Sequence, residues 1–427
     1  MRSYPDVLAV PTRTVIDREL AVPGSKSLTN RALLVAALAA GESRLEGALV
    51  AEDSEVMIAG LRELGIPVEV TGTTFVVHGR GGHIPQSAAE IDLRLSGTSI
   101  RFLTALASLG NGRYQLDGNE RMRQRPIQDL LLALDQLGAR VGTRFESGCP
   151  PVVVEARGLR GGDATVAGER SSQYLSALLM VAPYAARATT LSVDGELQSK
   201  PFVDMTLALM GDFGVTVRRR GYREFHVPTS RYRARAYHIE GDAMAAGYFW
   251  AAAAVTGGKI RITNLGRHSW QGDRRLADVL EQMGCTVIWS EGSCEVIGPP
   301  GGRLRGGRFD LNDMPDQAQT LAVTALFADT PVRIDNVWNM RIKETDRLVA
   351  MARELAKFGA EVQEGRDYLV VHAPPELRSA VEVDTYGDHR MAMAFAVAGL
   401  RIPGVVIRQP ACVAKTYPGF FRDWSTL

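Results

Sequence analysis

One pattern recurs six times along the chain, about every 71 to 74 residues, and a repeat of that length fixes the architecture before any local detail is read. Each copy opens with small or polar residues and continues as an Ala/Leu-rich helical stretch. It then breaks at a turn and resumes as a β-branched strand. The openings are Ser25-Lys26-Ser27, Gly97-Thr98-Ser99, Ser171-Ser172-Gln173, Gly241-Asp242, Pro315-Asp316 and Gly387-Asp388-His389-Arg390. The strands that follow are predicted at Glu42–Glu46, Tyr114–Asp117, Thr189–Val193, Lys259–Thr263, Val332–Asp335 and Val405–Arg408. A second helix recurs between them and ends at Gly65, Gly138, Gly214, Gly284 and Gly359, since glycine stops a helix by taking the left-handed conformation. Only the sixth copy lacks this second helix. Alternating helices and strands in this order predict an α/β protein.

At 427 residues with 45% hydrophobic content, the chain can build two or three packed domains. Its formal charge of +1, from 49 basic and 48 acidic residues, provides no global field to draw it to nucleic acid or an anionic membrane. Any basic site must therefore be local. Cys149, Cys285, Cys294 and Cys412 form no CxxC pair and have no nearby histidine to complete a zinc set, so they read as reduced thiols. No metal is expected. Met1–Val15 holds Asp6 and two prolines without the apolar core of a secretory signal, and the apolar run Tyr248–Val255 is too short to cross a bilayer. The expected location is the cytoplasm.

Helix starts expose unpaired N–H groups and the positive end of the macrodipole, which makes them seats for phosphate or carboxylate. Serine, threonine and aspartate there also serve as plain N-caps. Capping does not account for Lys26, Arg31, Arg101 and Arg390, which lie in the first turns of three such helices, where a cation works against the dipole. An anionic ligand would resolve that conflict. Pro23-Gly24-Ser25-Lys26-Ser27 lacks the glycine spacing of a nucleotide-binding P-loop, so Lys26 would meet another phosphate or a carboxylate. Arg121, Arg123 and Arg125 alternate, and in an extended segment would point to one side, although a basic surface loop fits them too. Arg341-Ile342-Lys343-Glu344-Thr345-Asp346-Arg347 reads as the front of an amphipathic helix, with Lys343 and Arg347 on one face and Glu344 beside them. A salt-bridged exposed face would give the same pattern. Asp388-His389-Arg390 and Ala414-Lys415-Thr416 complete the cationic set, with His389 read as structural.

Taken in order, Pro-Gly-Ser-Lys-Ser with Asn30-Arg31, Ser96-Gly97-Thr98 with Arg101, Arg125-Pro126, Ser171-Ser172-Gln173, Lys343-Glu344-Thr345-Asp346-Arg347, Asp388-His389-Arg390 and Lys415 resemble the 5-enolpyruvylshikimate-3-phosphate synthase family. The resemblance runs from about Val22 to Phe420. It implies two similar domains, each of three βαβαββ repeats forming an inside-out α/β barrel, with the active site in the cleft between them. Residues 1–23 with 242–427 would form one domain and residues 24–241 the other, with hinges near 22–25 and 239–243. It further implies transfer of the enolpyruvyl group of phosphoenolpyruvate to shikimate 3-phosphate by a monomer without cofactor. Carried over residue by residue, the shikimate 3-phosphate site comprises Lys26, Ser27, Arg31, Ser171, Ser172, Gln173, Ser199, Asp316, Asn339 and Lys343. Phosphoenolpyruvate would meet Lys26, Gly97, Arg125, Gln173, Arg347, Arg390 and Lys415. Asp316 is the candidate base and Glu344 the candidate acid, with Lys26 and Lys343 as participants.

Leu95-Ser96-Gly97-Thr98-Ser99-Ile100-Arg101-Phe102 departs from the family pattern, which often has Asn-Ala before the glycine and proline after the arginine. That surface borders the phosphoenolpyruvate pocket, which glyphosate also occupies in the family. The sister transferase acting on UDP-N-acetylglucosamine carries a cysteine where this chain has Arg121-Met122-Arg123-Gln124. A non-catalytic repeat protein that captures anionic metabolites is the alternative of another class.

Overall fold

All six openings read from the sequence start helices in the computed structural model, which describes residues 4–427. The first residues of the Met1–Val15 stretch lie outside the described residues. The helices are Lys26–Leu38, Gly97–Ala107, Ser172–Val181, Ala243–Thr256, Ala318–Thr324 and His389–Gly399, with a 3-10 turn at Pro315–Gln317 leading into the fifth. Beyond their polar openings they are buried on nearly every side, as helices in the middle of a core are. All residues of Ala243–Thr256 and of His389–Gly399 are buried.

The chain divides into two units, one formed by the described residues up to Pro23 with Glu240–Leu427, the other by Gly24–Ile239. Within Gly24–Ile239, the Lys26, Gly97 and Ser172 helices pack on one another as a central layer. Three four-stranded sheets surround them, and each begins with a parallel pair followed by antiparallel neighbours. The first sheet is completed from far along the chain, as Ala236–His238 pairs in parallel with Ala40–Glu46. The other unit repeats the plan around the Ala243, Ala318 and His389 helices, which also pack together. There Asp17–Leu20 joins Lys259–Ile262, and Val7–Ala9 supplies the third strand of a sheet with Val406–Arg408 and Glu382–Val383. The sixth copy, short of its second helix, is thus closed by strand pairing with the N-terminal segment.

The second helices end where the glycines predicted, and all five glycines have positive φ: +84° at Gly65, +94° at Gly138, +90° at Gly214, +107° at Gly284 and +90° at Gly359. A side chain there is strained by roughly 1–2 kcal/mol. A methyl at Gly284 would meet nothing within 4 Å, whereas one at Gly65 would lie 2.8 Å from Pro85 Cβ. Chemical denaturation should therefore find Gly284→Ala destabilised by about 1–2 kcal/mol and Gly65→Ala by clearly more. Equal losses would show that the Pro85 contact yields freely.

Candidate active site

In the Gly24–Ile239 unit the helix starts are linked to one another through side chains. Ser25 caps the first helix by accepting from the Leu28 N–H, and Lys26 beside it lies 3.3 Å from the buried carboxylate of Asp53. The Asp53 carbonyl accepts from Ser99 Oγ, which itself contacts Ser96 Oγ at 2.8 Å, so the first and second copies are tied together. Arg101 donates to the Gly97 carbonyl, to Gln173 Oε1 at 2.7 Å and to the Pro126 carbonyl, while its guanidinium stacks over Tyr174. Gln173 Nε2 donates in turn to Thr98 Oγ1, and Ser171 caps its helix by accepting from the Gln173 N–H. Gln173 is therefore held in one orientation against Gly97.

Arg125 is buried, its Nε has no hydrogen-bond partner, and its guanidinium covers Gly97 so closely that a Cβ there would stand 2.6–2.7 Å from it. Glycine at this position is required by that approach. Arg31 is 1% exposed, and its partners are the Thr206 and Ser176 hydroxyls and the Ser27 and Phe202 carbonyls, with the rings of Phe102 and Phe202 alongside. None of those partners is a carboxylate. Burial pulls the Arg31 pKa down to about 9, and an anion beside it would offset that cost. Ser172 is buried at its helix start, Ser27 is half-buried, and Ser199 sits at φ +56° just before the Lys200–Asp212 helix.

Two local expectations are corrected. Arg121, Arg123 and Arg125 do not point to one side, because Met122–Gln124 coils into a 3-10 turn. Arg121 donates to Gln124, and Arg123 turns to Asp117 on the wall of a cavity of about 620 Å³ lined also by Glu52, Glu90 and Asp92. Arg125 alone reaches Gly97. Lys343 and Arg347 do not share a helix face either, as the helix begins only at Arg347, capped by Asp346, and Lys343 is extended. They meet instead through a third residue, Asp316.

That carboxylate is the hub of the other unit. Asp316 Oδ1 lies 3.3 Å from Lys343 and 2.9 Å from Arg347, and its Oδ2 lies 3.0 Å from Arg390. Arg347, 1% exposed, also donates to Asp388 and to Glu344 Oε2, and Glu344 Oε1 lies 3.8 Å from Lys415. Burial by itself would lower the Arg347 pKa, yet Asp388, Glu344 and Asp316 together raise it above the ordinary arginine value. Asp388 caps its helix by accepting from the Arg390 N–H, and buried His389 is beside it. Asn339 is buried with its Oδ1 lacking a partner. Four cations, Lys343, Arg347, Arg390 and Lys415, thus converge on three carboxylates, Asp316, Glu344 and Asp388.

Sequence reasoning missed Asp53 and Asp273. Asp53 carries no local signal, since its partner Lys26 lies in a different helix. Asp273 is buried on the 3-10 turn Gly272–Arg275, where burial and then the neighbouring Asp316 charge push its carboxyl up to about 7. In the sequence it stands beside Arg274 and Arg275 and reads as one member of an ordinary charged turn.

A sequence model described as EPSP synthase (3-phosphoshikimate 1-carboxyvinyltransferase) matches residues 10–424. The chain belongs to the EPSP synthase family. A 3-phosphoshikimate 1-carboxyvinyltransferase of Trichormus variabilis is 47% identical over 420 residues, covering 97% of this chain and 98% of the relative. One from Shewanella baltica is 46% identical over 414 residues, covering 96% of each. An EPSP synthase structure from Acinetobacter baumannii shares the fold with a TM-score of 0.82 at 24% identity, over 98% of this chain and 97% of that one. The repeated α/β architecture inferred from the sequence is therefore that of the EPSP synthases. Among the described residues no helix is long and apolar enough to cross a membrane, and no group of three or more His, Cys, Asp or Glu could hold a metal ion.

Arg347 is the residue on which the carboxylate cluster depends. Replacing it with methionine keeps the bulk but strands Asp388, whose side chain is fully buried, without its principal cation. Denaturant titration of Arg347→Met should show a loss of about 3–5 kcal/mol; a loss below about 1 kcal/mol, the range of an exposed pair, would mean that the cluster is not held by Arg347.

Proposed function

We propose that this chain transfers the enolpyruvyl group of phosphoenolpyruvate to the 5-hydroxyl of shikimate 3-phosphate and releases phosphate. It acts as a monomer in the cytoplasm, and the chain crossings at Pro23-Gly24 and Ile239-Glu240 serve as hinges. The observation that carries this reading is the family membership over nearly the whole chain, supported by two sets of cations, largely buried, at the helix starts of each unit. Both substrates are polyanions, and cations positioned beforehand supply the orientation and charge stabilisation such a reaction needs.

In this reading Lys26, Ser27, Arg31, Ser171, Ser172, Gln173 and Ser199 receive shikimate 3-phosphate together with Asp316, Asn339 and Lys343. Arg31, whose buried charge is met by hydroxyls and carbonyls, is suited to a ligand anion. Phosphoenolpyruvate takes the forks of Arg125, Arg347 and Arg390, with Lys26, Lys415, Gln173 and the bare backbone of Gly97. Asp316 accepts the 5-hydroxyl proton as the hydroxyl oxygen bonds to C2 of phosphoenolpyruvate. Glu344 delivers a proton to C3, so the double-bond electrons end in the new C–H bond. In elimination the C3 proton returns to Glu344, its bonding electrons re-form the C2–C3 double bond, and the bond from C2 to the phosphate oxygen breaks, expelling phosphate. Lys343 and Lys415 lie beside the two carboxylates and can hold or pass a proton as the steps alternate.

Phosphate release measured with each substrate alone and with both should require the pair; release from phosphoenolpyruvate alone would sink the transfer. Asp316→Asn and Glu344→Gln should each lower kcat by about a hundredfold or more while shikimate 3-phosphate still binds, and near-normal turnover would remove either residue from its role. Gly97→Ala, which displaces the Arg125 guanidinium, should raise KM for phosphoenolpyruvate about tenfold or more with kcat changed far less. An unchanged KM would detach Arg125 from that substrate.

A further inference from the structure

Asp316 and Asp273 are neighbouring carboxyls in opposite environments. Asp316 is gripped by Lys343, Arg347 and Arg390. Asp273 is buried, makes no ion pair among the described residues, and has an Oδ1 without a hydrogen-bond partner. Its turn is built into the same site. Gln317, next to Asp316, donates to the Asp273 and Ala243 carbonyls, and Gln271 bonds the Ala243 N–H and the Gly241 carbonyl. The charged groups that face Asp273 are Asp316 from the Pro315–Gln317 turn, Arg390 from its helix start, Asp242 from the cap of the Ala243 helix, and Lys343. On its own turn, Arg274 donates to the Ser269 carbonyl and Arg275 pairs with Asp313, so neither neutralises it. Glu240, close by, is taken by Ser269 and Gln271.

Resting on the reading of Asp316 as the base, we propose that Asp273 is a positioning residue for the transfer. Its buried carboxyl takes up a proton when substrate anions occupy Arg390 and Lys343, and so keeps a second negative charge from standing against Asp316. Substrate is not touched by Asp273. The proton comes from solvent and returns to it when product leaves, so no group is transferred through it.

The sign follows from the burial. Its pKa of about 7 lies above that of an exposed aspartate, so the carboxyl is largely neutral at pH 6 and largely ionised at pH 8. Ionisation adds a negative charge beside Arg390 and weakens its hold on phosphoenolpyruvate. Asp273→Asn fixes the neutral form with nearly the same shape. In the unaltered enzyme, KM for phosphoenolpyruvate should rise between pH 6 and pH 8 by about tenfold more than in Asp273→Asn, with kcat following a similar course in both. Profiles that superimpose overturn the proposal.

The unaltered protein provides a second reading should the variant fail to accumulate. Calorimetric titration of shikimate 3-phosphate at pH 7.5, in two buffers of different ionisation enthalpy, should show net proton uptake. A phosphate entering a cationic site would by itself release protons, so release or no exchange overturns the proposal. Asp316→Asn keeps the two ideas apart. If it retains turnover, the assignment of the base is wrong. If it is inactive while the Asp273→Asn profile matches the parent, only the role of Asp273 is wrong.

Discussion

A guanidinium withdrawn to 1% exposure costs several kcal/mol in lost hydration unless carboxylates surround it, and Arg347 has three, contributed by separate stretches of chain. Glu344 comes from just before its own helix, Asp316 from the start of the fifth repeat and Asp388 from the start of the sixth. One buried charge thus ties together two repeat openings and the loop between them, and the three other cations of the cluster each meet a carboxylate that Arg347 already holds. Lys343 and Arg390 meet Asp316, and Lys415 approaches Glu344. The site geometry and the packing of the repeats are consequences of the same interaction.

The other unit treats its charge differently. Lys26 lies beside the Asp53 carboxylate, while Arg31 donates to hydroxyls and carbonyls and Arg125 to the Leu95 carbonyl. Such partners orient a guanidinium without cancelling its charge, so the region stays positive and its arginines are fixed in advance. The conflict noted from the sequence, between cations and helix-start dipoles, is therefore resolved in two ways. Lys26 and Arg390 are met by carboxylates of the protein, whereas Arg31 bears its desolvation with neutral partners.

The repeat, its helix starts and its terminal glycines were legible because each depends on residues close in sequence, through helical period, capping and positive φ. Sheet closure was less so, since Val7–Ala9, Asp17–Leu20 and Ala236–His238 join partners far along the chain, and three-residue strands carry almost no pattern. The candidate side chains were read from motifs whose spacing said nothing about orientation. The arginines at 121, 123 and 125 looked equivalent until a 3-10 turn sent only one of them to Gly97. Lys343 and Arg347, read as one helix face, meet across a capping residue through Asp316. Asp53 and Asp273 stayed hidden because their importance lies wholly in through-space partners.

The openings of the six inner helices, four of them capped by a side chain, carry this difference into the sequence itself. In the Gly24–Ile239 unit Ser25 and Ser171 accept from helix N–H groups and Ser96 precedes its helix without such a bond; in the other unit Asp242 and Asp388 are caps, and Asp316 lies within the 3-10 turn Pro315–Gln317. Serine can satisfy helix N–H groups without adding charge, so the positive helix ends remain available to an incoming anion. Asp242 and Asp388 put a carboxylate at such ends, and Lys343, Arg347 and Arg390 supply the cations around Asp316 and Asp388. A single repeated scaffold thereby differs between its two units in the charge placed at its helix openings, and only the unit with aspartates gathers Lys343, Arg347 and Arg390 around them.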